Sequence, residues 1–351
     1  MVSHHAPCAS VYNPFTVHMS RTDLPRRILF LTLMLACLLP QIHPPIALLM
    51  GAIMGLLIGN PFPKRAAAAS KSLLKLSVIG LGFGITASQV ASVGLDAALY
   101  TAIGITGTFG VGWLLVRLIP QSRITALLIT AGTAICGGSA IAALAPAVRA
   151  KDHETSIALA TVFTLNAIAL LIFPPIGHAL NLSETQFGVW AAMAIHDTSS
   201  VVGACDTYGH QALAVGTIIK LTRALWIVPL AFTAAFVIKH KPHHDADDEH
   251  AQSGAKLPWF LLGFIIAALL RSFVPPINLT PDLTIFEALY KIARQSLVLT
   301  IFLIGAGLTR SVLRAVGLRP MILALSLWVL ASVCSLLAIM SGLVPLPNIG
   351  G

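Results

Sequence analysis

Residues 193–204 read MAIHDTSSVVGA. An imidazole, a carboxylate and three hydroxyls stand in a row there, at His196, Asp197, Thr198, Ser199 and Ser200, between the apolar arms GVWAAMAI and VVGA. How this run is read depends on what surrounds it. The chain has 351 residues, 56% hydrophobic and 10% charged, with a mean hydropathy of +0.86. A soluble domain carries about 25% charged residues. This chain cannot cover its own surface with water-compatible groups, so lipid is the expected solvent for much of it. An acid in the middle of such a chain then costs about 2.5–3.5 kcal/mol on insertion scales, which makes it a candidate site.

The same composition excludes other classes. The net charge of +9 does not indicate nucleic acid, because Lys and Arg are dispersed and flank apolar runs, as orientation in a membrane requires. Cysteines 8, 37, 136, 205 and 334 form no CxxC, so neither a disulfide frame nor a zinc site is expected. The histidines of the hydrophilic break KHKPHHDADDEHAQSGAK, 239–256, sit among acids without helical period, and the segment reads as a cytoplasmic loop rather than a metal site. Residues 1–27 read as a cytoplasmic lead-in, with Met19 an alternative start. Residues 28–343 form one membrane domain and 344–351 a tail. The run Ile28 to Leu39 follows Arg26 and Arg27 without an A-x-A site, and is expected to be a first span rather than a cleaved signal.

Apolar runs lie at 28–39, 42–59, 73–90, 95–119, 124–147, 155–177, 186–203, 211–238, 257–274, 285–308 and 320–343. If all of them crossed, Arg149 and Lys151 would face outward. If 124–147 and 186–203 each enter and leave on one side, every basic linker lies inside, with Arg271 a mild exception. The charge distribution thus favours nine full spans and two re-entrant hairpins, one from each side. The alternative is two spanning helices that unwind midway. Both odd runs carry non-helical sequence, TAICGGSAIAALAP at 133–146 and IHDTSSVVGAC at 195–205. Backbone that leaves the helix at membrane depth is tolerated only against protein or a wet cavity. An internal echo adds to this. Residues 79–94 and 302–317 align without gaps at Gly82/Gly305, Gly84/Gly307, Thr86/Thr309, Ser88/Ser311, Val93/Val316 and Gly94/Gly317, the weak symmetry that marks inverted-repeat transporters. The expected fold is an all-α polytopic membrane protein of nine to eleven segments in inverted repeats, with two broken or re-entrant segments.

The candidate site joins both breaks. Cys136, Gly137, Gly138 and Ser139 supply a turn with almost no bulk, suited to close backbone approach; close helix packing through small residues is the plainer reading. Asp197-Thr-Ser-Ser is a good helix N-cap, and an N-cap within the membrane is itself an anion site. Lys220 and Arg223 are three apart on one helix face, too deep to snorkel easily, and are assigned as anion partners or counter-charges for Asp197. Lys291 and Arg294 repeat that spacing near an end of their run, where snorkelling suffices. Asn166 can bond a neighbouring helix as readily as a substrate.

The stretches KLSVIGLGFGITASQVASVG, TAGTAICGGSAIAALAPAVRAKDHETSIALATVF, MAIHDTSSVVGA, KLTRALWIVPL and LIGAGLTRSVLRAVGLRPMILA together resemble a family of bacterial inner-membrane proteins labelled sulfate exporters. The likeness covers roughly residues 25 to 343. That family is similar to the secondary carriers of bile acids and arsenite. The resemblance implies inverted repeats and places Cys136 to Ser139, His196, Asp197, Lys220 and Arg223 in the shared blocks. Ser199-Ser200 departs from the Ala-Gln or similar pair of the relatives.

The function expected is a secondary transporter of a small anion, sulfate or a related sulfur oxyanion or organic acid, in the bacterial inner membrane with the N-terminus cytoplasmic. No cofactor is expected beyond a coupling proton or Na+, and no nucleotide signature is present. The partners are the bilayer and the anion, with a homodimer allowed. A channel is the first alternative. An intramembrane enzyme using His196 and Asp197 is the second, disfavoured because adjacent residues point apart.

Overall fold

A computed structural model describes residues 23–230, 233, 259–281 and 283–347 of the chain. The helices are α1 Asp23–Ala36, α2 Pro44–Ile53 continued by a wider turn Met54–Ile58, α3 Pro63–Leu81, α4 Ala87–Leu118, α5 Arg123–Ala134, α6 Gly138–Ala147 and α7 Asp152–Ala179. After these come α8 Glu184–Ala194, α9 Thr198–Tyr208, α10 His210–Leu225, α11 Trp259–Phe273, α12 Ile285–Ala306, α13 Arg310–Ala315 and α14 Leu318–Met340. A two-stranded ribbon, β1 Asn278–Thr280 against β2 Leu283–Thr284, joins α11 to α12. The polar loop 239–256, with its histidines, lies outside the described residues, as does most of the lead-in.

Among the described residues, six helices are long and apolar enough to cross a membrane: Pro63–Gly84, Ala87–Leu118, Asp152–Ala179, His210–Leu230, Ile285–Ala306 and Leu318–Met340. The chain is thus a multi-pass membrane protein, but nine full spans are not reached. The runs at 28–39 and 42–59 yield α1 of 14 residues and the shorter apolar segment Pro44–Ile58. A crossing needs about 20 residues. The run at 257–274 is described from Trp259 and gives 15 helical residues.

The helices sort into two bundles. In one, α12 packs along α2 and α3, with α11 against α3 and α1 against α12. Glycines let α2 and α12 touch backbone to backbone: a Cβ at Gly51 would lie 2.1 Å from Phe302 O, and one at Gly305 would lie 2.5 Å from Leu48 O. In the other bundle α5 packs on α4 and α7, α10 on α4, α8 and α9, and α14 on α4, α5, α7 and α8. The bundles meet where α9 touches α2 and α12 and where α11 touches α4.

Both broken runs are hairpins. Ser122, which precedes α5, donates its hydroxyl to Glu154 Oε1 in the first turn of α7. The chain that left Ser122 has therefore returned to it. At the far end of α7, Tyr208 closes α9 by donating to Leu182 O at 2.6 Å, just before α8. Glu184 Oε2, in the first turn of α8, accepts from Gln211 N at 2.7 Å in the first turn of α10. The two mouths thus lie at opposite ends of α7.

The internal echo is also structural. Thr86 caps α4 and Thr309 caps α13, each with its side chain accepting a backbone N–H from three residues on. Each hydroxyl also pairs with the serine two residues later, Ser88 at 3.0 Å and Ser311 at 2.8 Å. Ile85 N bonds Gly82 O just as Leu308 N bonds Gly305 O.

Candidate functional site

Each hairpin is two half-helices joined by a short non-helical link. At the first tip Gly137 has φ 63° and ψ −125°, a region open to glycine. At the second, Ile195 and Asp197 are extended, with φ −83° and φ −102°. The tips touch: a Cβ on Gly137 would stand 3.1 Å from Asp197 Cβ. CGGS and HDTSS, 60 residues apart in sequence, therefore meet at one place. Asn166 marks its depth. It lies midway along the 28 residues of α7 and accepts the His196 backbone N–H on Oδ1 at 3.1 Å. A neighbouring link, not solvent, takes this mid-helix amide.

Asp197 is the N-cap of α9. Its Oδ2 accepts from Ser200 N at 3.2 Å and from the Ser199 hydroxyl. Its Oδ1 has no partner. Thr198 is half-buried, while Ser199 and Ser200 are buried.

Lys220 and Arg223, both buried, do something other than pair with Asp197. Lys220 Nζ donates to Ile195 O at 2.6 Å and Ala192 O at 3.4 Å. Arg223 NH1 donates to Ala192 O at 2.9 Å and Met193 O at 2.5 Å, and its NH2 donates to Ala134 O. These carbonyls close α8 and α5. A helix leaves its last four C=O groups unpaired and carries partial negative charge at that end. The two cations satisfy both needs for two half-helices that end inside protein. Neither cation makes a close ion pair with Asp197 in this arrangement; Arg294–Asp206 is a close ion pair among the described residues.

Ser139, in the first turn of α6, is exposed, whereas Cys136 is buried and Gly138 lies against Phe163 and Leu159. Arg294, with 42% of its side chain exposed, donates its Nε to the buried Asp206 Oδ1 at 2.5 Å.

Around the tips a set of buried polar atoms lacks protein partners: both ring nitrogens of His196, Asn166 Nδ2, Arg223 Nε, Thr133 Oγ1, Tyr100 Oη and Asp197 Oδ1; Thr217 Oγ1, on the side of α10 toward Gly84 and Tyr290, is another. A buried group without a partner costs about 1–3 kcal/mol. Apart from Asp197 Oδ1, every one of them is able to donate. The sequence signalled Thr133 only as the first residue of its tip segment, and Thr217 only as one helical turn from Lys220; Tyr100, alone in an apolar run, gave no signal. Among the described residues no three His, Cys, Asp or Glu side chains gather to hold a metal ion.

Comparison with known proteins agrees with this architecture at the family level. The profile of a family described as conserved hypothetical protein 698 matches residues 28–324. A UPF0324 membrane protein of Geobacter sulfurreducens is 46% identical over 314 residues, 90% of this chain and 96% of its own length. One from Bdellovibrio bacteriovorus is 46% identical over 324 residues, covering 92% and 97%. A third, from Bacteroides thetaiotaomicron, is 48% identical over 296 residues, covering 84% and 86%. No solved structure matches the chain.

Proposed function

We infer the function from one premise, that the chain belongs to the conserved hypothetical protein 698 family, whose matched relatives are membrane proteins. It is a secondary carrier of a small anion, sulfate or a related oxyanion or organic acid. The observation that carries this reading is the contact of two hairpin tips midway along α7, ringed by buried groups that can donate and lack acceptors. Buried donors without protein acceptors are suited to an anion. Half-helix N-termini at α6 and α9 point the same way.

The fixed cations act mainly through their field, because Lys220 Nζ and both Arg223 terminal nitrogens are committed to the ends of α5 and α8, while Arg223 Nε remains to donate. Alternating access follows when the bundle holding both hairpins shifts against the bundle of α2, α3 and α12, exposing the tips to one mouth and then the other. The echo between Thr86 and Thr309 supports an inverted-repeat origin. Arg117, Arg123, Arg149 and Lys151 gather at the α5–α6 mouth, while 178–185 and 204–210 hold no Lys or Arg. By the positive-inside rule the first mouth is cytoplasmic and the protein sits in the inner membrane. An intramembrane hydrolase is disfavoured, because neither ring nitrogen of His196 is oriented by Asp197 or by any other group.

The test is counterflow of labelled sulfate in proteoliposomes. Lys220→Met should lower flux at least about tenfold, a loss of about 1.4 kcal/mol of binding. Lys291→Met, at an exposed position on α12, should leave it unchanged. Equal flux in the wild type and Lys220→Met would remove the site from the transport path.

A further inference from the structure

We infer, resting on the carrier reading above, that the cargo of this site carries one net negative charge, counted together with any proton that travels with it. The reasoning is a count of charge at the tips. Four helix ends meet there: the C-termini of α5 and α8 and the N-termini of α6 and α9. Two partial negative ends and two partial positive ends cancel. Formal charges are left to decide. In their ordinary ionised forms Lys220 and Arg223 contribute two positive charges and Asp197 one negative.

The other titratable groups facing His196 and its neighbours are Cys136 in the first link and Tyr100 on α4, which is within electrostatic reach of Asp96 and Arg223; both are neutral in their ordinary form, and Asp96, one turn from Tyr100, is exposed, so solvent screens its charge. From α7 the facing group is the uncharged Asn166. The carboxylates of Glu154 and Glu184 sit at the two mouths, and Asp206 is occupied by Arg294. The sum is one positive charge in a region where Lys220 is 0% and Arg223 4% exposed.

An uncompensated charge in a low-dielectric interior is strongly disfavoured. A monovalent anion removes the imbalance. A dianion such as sulfate overshoots by one charge and needs a proton with it. His196 is the seat for that proton: both its ring nitrogens are buried and without a protein partner, and an imidazole can take up a proton and donate it to the bound anion.

The experiment is calorimetric titration of the purified full chain with sulfate and with nitrate, in two buffers of different ionisation enthalpy, which counts protons exchanged per anion bound. Sulfate should take up one proton and nitrate none. By linkage the Kd for sulfate then rises about tenfold per pH unit while that for nitrate stays flat. Asp197→Asn keeps an N-cap residue and raises the imbalance to two, so sulfate should bind it with no proton and with a Kd independent of pH.

A second variant guards against a misfolded first. His196→Gln should bind sulfate with no proton uptake and with a Kd that no longer rises with pH. Sulfate binding without proton uptake in the wild type, nitrate binding with it, or an unchanged proton count in Asp197→Asn overturns the charge assignment while leaving anion binding in place. No binding of any anion, by heat or by thermal shift, overturns the carrier reading itself.

Discussion

Arg223 is the residue on which both hairpins depend. Its NH2 holds Ala134 O at the end of α5 and its NH1 holds Ala192 O and Met193 O at the end of α8. A single planar fork can reach two helix ends because its donors diverge. Arg223→Met would orphan these carbonyls at about 1–3 kcal/mol each, so a large drop in thermal stability in detergent is expected. Arg223→Lys should not restore it, since one ammonium cannot span both ends. A melting temperature for Arg223→Met within about 2 °C of the wild type would show that these bonds contribute little. At the facing tip, Gly137→Ala combines a positive φ with a Cβ placed 3.1 Å from Asp197 Cβ. It should cost on the order of 1–3 kcal/mol and depress anion binding with stability, measured by thermal shift with and without sulfate.

At the scale of elements, the half-helices have lengths that suit their task. The 12 residues of α5 and 10 of α6 rise about 18 and 15 Å, roughly half of a hydrocarbon core of about 30 Å. They reach the middle and turn back, and α8 and α9, of 11 residues each, do the same from the other end. Gln121→Cys and Lys151→Cys, in a background lacking the native cysteines, should react with a membrane-impermeant thiol reagent from one face only. Leu180→Cys and Gln211→Cys should react from the opposite face only. Labelling of positions 121 and 151 from different faces would mean that this run crosses the membrane.

At the scale of the whole molecule, two bundles share a contact in which a buried acid is paired across the boundary. Asp206 on α9 has 5% of its side chain exposed, and Arg294 on α12 holds it at 2.5 Å. Movement of the hairpin bundle along α12 strands that carboxylate, which is costly in the interior. The pair therefore favours the conformation described here. In a double-mutant cycle, Arg294→Gln and Asp206→Asn should each lower thermal stability, and the double variant should lose less than their sum. Coupling smaller than about 0.3–0.5 kcal/mol would show that the two side chains act independently. Because neither touches the tips, both variants should change turnover in proteoliposomes while sulfate affinity stays near the wild-type value.

The sequence by itself determined that the chain lives in lipid and where it leaves the helix, and its charge distribution favoured turning back over unwound crossing at 124–147 and 186–203. Those features come from terms that add up residue by residue along the chain: the transfer of apolar groups, the side on which Lys and Arg are kept, and the need to satisfy freed backbone. It also marked the tip residues, because Asp197 and the bulk-free Gly137 are costly or idle in an apolar run unless something is built there. The tertiary structure decided what those residues touch. Lys220 and Arg223 grip the ends of α5 and α8 instead of Asp197, Ser139 turns outward, Arg294 finds Asp206 and only six helices attain spanning length among the described residues. A hydrogen-bond partner 25 to 89 residues away in the chain is chosen by how helices pack, and a local pattern of hydropathy and charge carries no information about the angle at which two of them meet.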